Sequence, residues 1–131
     1  MNIILTTHGD MCEGMIASYK MIAGESDRIH TVKLTDEGVG VYKEKLHQLI
    51  EDLSTQGEVL VLCDILGGTP YNESLMYGLQ NPGKINLVSG VNLPMLIELG
   101  MMAESESSSE VLAEQAKSIG QDGITIADLD I

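Results

Sequence analysis

The sequence EVLVLCD, residues 58–64, decides the fold class of this chain of 131 residues. Its five central residues, Val59–Cys63, are all apolar, and no polar residue alternates with them. Such a run is typical of a strand that is buried on both faces, as the strands of parallel sheets are when helices cover them. We therefore expect Glu58–Cys63 to be a central strand of a parallel sheet.

Three other short runs also have strand character, namely Asn2–Thr6, Ile29–Leu34 and Ile85–Ser89, and longer stretches with helical spacing separate them. The helix expected after Gly40 has an apolar face made of Tyr42, Leu46, Leu49, Ile50 and Leu53. Strands that alternate with helices predict an α/β domain, with an open, mainly parallel sheet that helices cover on both faces.

The boundaries of the later elements are marked by proline, serine and glycine. Pro70 and Pro94 each follow a glycine-containing loop, and proline is well tolerated at the start of a helix. The polar connector ESESSS, residues 104–109, offers a serine to cap the next helix. The stretch Met95–Met102 is apolar almost all round, which predicts a place in the core or at a subunit interface. A last apolar run, Ile124–Ile131, predicts a fifth strand whose pairing its sequence does not decide.

Composition limits the possible function. Twenty acidic and seven basic side chains give a net charge of −13, which disfavours binding to nucleic acid and suits a basic protein partner, although solubility explains it equally well. There is no Trp, no Phe and only four Tyr, so little is available for stacking on a flavin or a base. The length predicts one domain over residues 1–131. No apolar run is long enough for a membrane span and no secretory signal is present, so we expect a cytoplasmic protein.

Reactive groups in an open parallel sheet collect at the carboxyl ends of the strands. Two segments stand there, TTHGD after the first strand and DILGGTP after the third. If these strands are neighbours, His8 and Asp64 face each other. A carboxylate that accepts one ring N–H of a histidine fixes its tautomer and leaves the other nitrogen as a nucleophile. His8 is thus the candidate nucleophile and Asp64 its orienting partner, although spacing alone fits an ordinary loop histidine equally well.

The segment GGTP places flexible backbone amides directly before a predicted helix, where N–H groups and the helix dipole attract anions. Gly68 and Thr69 are the candidate phosphate-binding residues, and Thr69 is also a candidate cap of that helix. No Lys or Arg precedes Lys20, none lies between Lys45 and Lys84, and no P-loop motif is present. We therefore expect a phosphoryl group to be held by backbone dipoles or with the help of a cation from a partner.

Cys12 lies four residues after His8 and suggests two further sites. With His8 and Asp64 it would make a thiol catalytic set, and with Asp10 added it would make a metal site. Packing on the first turn of a helix explains Cys12 better. The two cysteines lack metal-ligand spacing and are expected to be reduced and buried, and we expect neither metal nor cofactor. The other two histidines are expected to be structural or solvated.

Three ordered motifs resemble those of one known family. They are ILTTHGDMCEGM (residues 4–15), LCDILGGTPYNES (62–74) and SGVNLPMLIE (89–98), and together they run most of the length of the chain. They are similar to the IIA proteins of the mannose/fructose/sorbose family of the bacterial phosphotransferase system. The resemblance implies a parallel sheet of order 2-1-3-4, which makes the first and third strands neighbours. It also implies a dimer in which the C-terminal strand, here Ile124–Ile131, is exchanged between subunits.

The same resemblance implies a phosphotransferase component. His8 would accept phosphate from the phosphohistidine of the general carrier HPr and donate it to a histidine of a IIB protein, while Asp64 bonds the non-reacting ring nitrogen. The IIB protein is expected to be a separate chain, because no linker follows Ile131. The membrane subunits IIC and IID would choose the sugar, so the sequence of a IIA protein does not name it.

Three alternatives remain open at this point. A phosphoryl donor to a dihydroxyacetone kinase would be expected to have Ser after the histidine, where this chain has Gly9. A receiver-like signalling domain phosphorylated on Asp64 would need acidic residues after the first strand and a late lysine, but Thr6, Thr7 and His8 occupy the first place and the expected final strand has no Lys. A flavodoxin-like flavin binder is disfavoured by the scarcity of aromatic residues.

Overall fold

Four parallel strands form the centre of the molecule in the computed structural model, which describes residues 1–130. The strands are β1 (Asn2–His8), β2 (Ile29–Leu34), β3 (Val59–Cys63) and β4 (Ile85–Val88). The helices are α1 (Met11–Ala23), α2 (Val39–Ser54), α3 (Thr69–Gln80), α4 (Leu93–Met102) and α5 (Ser109–Asp122). Within the described residues, no helix combines the length and the apolar character that a membrane crossing requires.

The strand order is β2-β1-β3-β4, which confirms the order implied by the resemblance. All five residues of β3 are buried, as the unbroken apolar run predicted. The strand begins one residue later than expected, at Val59, and the carboxylate of Glu58 accepts hydrogen bonds from the backbone and hydroxyl of Ser109. The pairing of Thr6 with Cys63 brings the carboxyl ends of β1 and β3 side by side.

Alternate residues of the central strands enter two separate cores. Ile3, Leu5, Leu60 and Leu62 pack on one face against α1, α4 and α5, whereas Val59 and Val61 pack on the other face with α2 and α3. This two-residue period is the geometry of a pleated strand. Full burial of each of these side chains contributes about 1.5–3 kcal/mol. The helices therefore cover both faces, as expected of this fold class.

The helix boundaries follow the predicted signals. Pro70 and Pro94 are each the second residue of their helices, α3 and α4. The hydroxyl of Ser108 accepts a hydrogen bond from the backbone of Val111 at 3.2 Å, which confirms a serine cap on α5. Met95, Leu96 and Leu99 of α4 are buried, which confirms the core role of that apolar helix.

The C-terminal segment, residues 124–130, does not form the predicted strand in the single chain. Its apolar side chains are exposed, at 78% for Ile124, 98% for Ile126 and 89% for Leu129. A strand requires a partner for its backbone groups, and the segment finds none along residues 1–130 of its own chain. The outer edge of β4 is likewise unpaired in the described sheet. Ile131, the last residue of the predicted strand, lies outside the described residues, and the exchange between subunits stays a prediction.

Candidate functional site

His8 and Asp64 meet at the carboxyl edge of the sheet, where β1 and β3 end beside each other. Nδ1 of the His8 ring lies 2.7 Å from Oδ2 of Asp64, and the backbone N–H of His8 donates to the same oxygen at 2.8 Å. The backbone N–H of Ile65 donates to Oδ1 at 2.9 Å. The Asp64 side chain is 8% exposed, whereas that of His8 is 46% exposed. The carboxylate is therefore fixed from both oxygens, while the ring that it holds faces solvent.

The hydrogen bonds around Asp64 decide its charge. Burial by itself raises the pKa of this carboxyl, but donation from the backbone and ring of His8 and from the backbone of Ile65 outweighs burial and leaves the pKa below its ordinary value. An ionised carboxylate can only accept hydrogen bonds, so Nδ1 of His8 must carry the proton. In the neutral ring, Nε2 then has a free lone pair.

The backbone of Gly68 lies against the free edge of the His8 ring. A Cβ atom at this position would lie 2.7 Å from Cε1 of His8 and 3.4 Å from Nε2, so only glycine fits without displacing the ring. Gly67 has a φ of +82°, in the left-handed region that favours glycine. The side chain of Asn72 donates to the carbonyl of Gly67 at 3.0 Å and holds the loop on the first turn of α3. Glycine is therefore required at the two positions for different reasons, the backbone conformation at Gly67 and the space beside the ring at Gly68.

The predicted capping role of Thr69 is wrong. Gly68, in extended backbone conformation, occupies the cap position of α3, and no side chain accepts a hydrogen bond there. Thr69 is already the first residue of the helix, so its hydroxyl is past the position from which a cap reaches the following N–H groups. The N–H groups of Gly68 and Thr69 have no partner within the helix, and Gly68 lies against the imidazole of His8.

Threonines fix the backbone beneath His8. The hydroxyl of Thr6 lies 2.6 Å from that of Tyr42, which is buried against the sheet. The hydroxyl of Thr7 accepts a hydrogen bond from the backbone of Cys12 at 2.9 Å and so ties the end of β1 to the start of α1. The Tyr42 contact joins residues far apart in sequence, and no local motif pointed to it.

Comparison with known proteins gives this geometry a context. A family model described as "PTS system fructose IIA component" matches residues 2–116. This chain belongs to the mannose/fructose/sorbose IIA family of the phosphotransferase system (PTS). The resemblance drawn from the three motifs is thereby confirmed.

Curated relatives of this IIA chain carry names of three sugars. It is 34% identical over 112 residues to the fructose-specific EIIA component of Bacillus subtilis, covering 85% of this chain and 76% of that protein. It is 31% identical over 118 residues to the sorbose-specific EIIA component of Lacticaseibacillus casei, covering 89% and 84%. It is 28% identical over 123 residues to the mannose-specific EIIAB component of Escherichia coli, but spans 38% of that longer protein.

Solved structures agree with the fold of the IIA chain. The mannose/sorbose-specific IIA subunit from Enterococcus faecalis superposes with a TM-score of 0.86 at 34% identity, covering 99% of this chain and 96% of that one. An EIIA component from Streptococcus agalactiae gives 0.87 at 28% identity, with 95% of each chain covered.

The cysteines of the IIA chain are packing residues. Cys12 is fully buried in the core on the α1 face, as expected, and its Sγ lies 4.0 Å from the carbonyl oxygen of Gly9. Burial also raises the pKa of the Cys63 thiol to about 12, which keeps it protonated. Residues 1–130 contain no cluster of three or more His, Cys, Asp or Glu arranged to hold a metal ion. The geometry thus favours packing over a thiol or metal site at Cys12.

The IIA site contains one cation, Lys33, that no local sequence motif indicated. Lys33 of β2 pairs with Thr7 in the sheet, and its Nζ lies 2.8 Å from Oδ1 of Asp10 and 3.0 Å from Oε1 of Glu13. Both local segments of the site lack Lys and Arg, but the neighbouring strand brings a lysine to their edge. Only the register between β1 and β2 reveals this, and a single sequence does not show that register.

Proposed function

We propose that this IIA protein is a phosphocarrier that accepts a phosphoryl group from phospho-HPr on Nε2 of His8 and passes it to a histidine of a IIB protein. The observation that carries the proposal is the ring of His8, held at Nδ1 by the ionised carboxylate of Asp64 with Nε2 turned toward solvent. A nucleophile that must meet two different proteins needs both features, a fixed orientation and an open approach.

The chemistry needs no other group from this chain to move a proton. The lone pair on Nε2 of His8 attacks phosphorus while the P–N bond to the donor ring breaks, and the electron pair of that bond returns to the donor nitrogen. The proton on Nδ1 stays in place, and the charge of Asp64 stabilises the positive charge that develops on the ring. Transfer to the IIB protein repeats the same exchange, with His8 as the leaving group.

The loop before α3 is suited to the phosphoryl oxygens. Gly68 touches the ring edge that would carry the phosphoryl group, and Thr69 begins a helix of 12 residues. Amides at the first turn of a helix have no partner within the helix, and its dipole favours an anion there. We assign the phosphate-binding role to these amides. Dipoles without a formal charge hold the group weakly, which fits a carrier that must release it.

A receiver-like role for Asp64 fits the geometry poorly. Both of its oxygens accept hydrogen bonds and its side chain is nearly buried. Attack on phosphorus would require an oxygen that is free of these donors. His8, by contrast, presents an unbonded ring nitrogen at the same edge.

We also infer a homodimer in which residues 124–131 of one subunit pair with a second subunit, at the unpaired edge of β4. The exposed Ile126 and Leu129 and the free strand edge support this arrangement. We infer a cytoplasmic protein that is connected with the membrane subunits IIC and IID only indirectly, through IIB, which would pass the phosphoryl group on to the sugar. Those subunits would select the sugar.

Labelling tests the proposed function. Incubation with phosphoenolpyruvate, enzyme I and HPr should place one acid-labile, base-stable phosphate on the protein, and His8→Ala should lose it. His30→Asn is a matched control, because His30 lies in β2 and its ring contacts Asn2 at the other end of the strands. That variant should be labelled like the parent protein. Undiminished labelling of His8→Ala would refute the proposed function.

A further inference from the structure

The ion pairs of Lys33 join two carboxylates that lie beside His8. Asp10 follows His8 by two residues, and Glu13 lies in the first turn of α1. The Lys33 side chain is 36% exposed and both carboxylates are more exposed still. Exposed ion pairs of this kind contribute little to folding stability. The hydrogen bonds that Lys33 donates to Asp10 and Glu13 raise its pKa, so the lysine stays charged throughout the range in which the protein works.

A groove next to the His8 ring contains one of the carboxylates that the positive charge of Lys33 neutralises. It is lined by His8, Gly9, Asp10, Leu34, Thr35 and Asp36. The backbone N–H of Gly9 donates to the carbonyl of Leu34 at 2.8 Å, which ties the loop after His8 to the strand that carries Lys33. The groove therefore presents the carboxylates of Asp10 and Asp36, and Lys33 joins Asp10 to Glu13. A phosphoryl group carries a charge of about −1.5 to −2 near neutral pH, so these carboxylates repel it.

We propose that Lys33 is a positioning residue that holds the carboxylates of Asp10 and Glu13 and neutralises their charge beside phosphorylated His8. Lys33 thereby stabilises the phosphorylated form and sets how readily the phosphoryl group leaves. This inference rests on the proposed phosphocarrier function. Among the described residues, Lys33 is the cation that forms an ion pair with a carboxylate of this groove, that of Asp10.

The equilibrium of phosphoryl exchange with HPr measures this effect directly. In that exchange the P–N bond of phospho-HPr breaks as the P–N bond to His8 forms, so the equilibrium constant compares the free energies of phosphorylation of the two histidines. The extra negative charge of a lysine variant also changes the rate of encounter with a partner, but an equilibrium constant is independent of encounter rates. The concentrations of the phosphorylated and unphosphorylated forms of both proteins, separated after mixing at about 50 mM salt, give the constant.

Lys33→Met should shift this equilibrium toward phospho-HPr by about three- to tenfold, as expected for uncompensated charges within about a Debye length of one another. Lys20→Met is the matched control, because it removes the same charge from an ion pair with Glu25 at the far end of α1. Ten residues of helix separate Lys20 from Asp10, about 15 Å along the axis, so its effect should stay within about twofold.

Rescue separates a charge effect from a structural one. In the Lys33→Met background, Asp10→Asn with Glu13→Gln should return the equilibrium to within about twofold of the parent, and Lys33→Arg alone should not move it. A structural role would lower the melting temperature and leave the equilibrium unchanged. Equal equilibria for Lys33→Met and Lys20→Met, or no rescue, would overturn the role of Lys33 while His8 is still labelled. A parent protein that takes no phosphate from phospho-HPr would overturn the proposed function as well.

Discussion

Two regions of the molecule differ in how completely a single subunit fixes their structure. One is the site at the ends of β1 and β3, and the other is the segment after α5. Asp64 receives three hydrogen bonds, from the backbone and ring of His8 and from Ile65. Residues 124–130 form no strand, and their apolar side chains face solvent. The site is built by contacts within one chain, whereas the C-terminal segment lacks a surface to pack on. Transfer chemistry should therefore survive changes in assembly, and assembly should survive changes in the site.

The largest effect should come from Gly68→Ala. The added methyl carbon would lie 2.7 Å from Cε1 of His8, closer than carbon atoms approach in proteins. Because His8 is held by Asp64 on its other side, the ring cannot retreat without losing that bond. We expect phosphorylation of His8 by phospho-HPr to slow by about 100-fold or more, the scale that a displacement of about 1 Å produces at a reacting centre.

Gly14→Ala is the matched control for this substitution. Gly14 lies in α1, and nothing within 4 Å would meet an added Cβ there. Alanine is favoured over glycine in a helix by about 1 kcal/mol, so the control should be slightly more stable and equally active. Gel filtration of both variants should match the parent protein. An active Gly68→Ala variant would show that the ring has room that the geometry denies.

Asp64→Asn should have the next largest effect, a loss of about 10- to 100-fold in the rate of phosphoryl transfer. The amide carries no charge to stabilise the ring, and its NH₂ group opposes either the N–H groups of His8 or that of Ile65. Asp27→Asn is the control, because it removes a charge just before β2, at the end of the strand opposite His8, and should stay within about twofold of the parent. Rapid mixing with phospho-HPr followed by quenching measures the transfer rates of both variants.

The same variant predicts a change in acid stability. The pKa of Asp64 is lower in the folded protein than its ordinary value of 3.8. The stabilisation by the ionised group is therefore complete above about pH 4 and is lost as the pH falls through the folded pKa. The difference in free energy of unfolding between the parent and Asp64→Asn should accordingly shrink below pH 4, as urea titrations can show. Equal transfer rates together with a constant stability difference would exclude Asp64 as the group that orients His8.

The sequence allowed much of this site to be predicted, because its parts follow local rules. An unbroken apolar strand is buried, strand ends hold reactive groups, and the implied strand order places His8 beside Asp64. The position of Lys33 depends on the register between β1 and β2, and the contact of Gly68 with the ring depends on tertiary packing. No local sequence pattern predicts either the position of Lys33 or the contact of Gly68 with the ring. The predicted cap by Thr69 is wrong for a local reason. Gly68 occupies the cap position, and α3 already begins at Thr69.

The C-terminal segment was predicted as a strand from its apolar residues, and the single chain does not contain the partner that such a strand needs. Deletion of residues 123–131 tests whether a second subunit supplies it. The parent protein should be a dimer in light scattering, and the truncated protein should be a monomer or should aggregate, because the edge of β4 loses the strand that covers it in the proposed dimer.

Where a soluble truncated monomer is obtained, phosphorylation of His8 should proceed within about threefold of the parent rate, since every hydrogen bond to Asp64 lies within one chain. Ile126→Asp with Leu129→Asp is a milder variant that keeps the length of the chain and should weaken the dimer without removing backbone. A stable dimer after the deletion would place the subunit contact elsewhere. A monomer that can no longer be phosphorylated would mean that the second subunit completes the site, and the distinction between the two regions would fail.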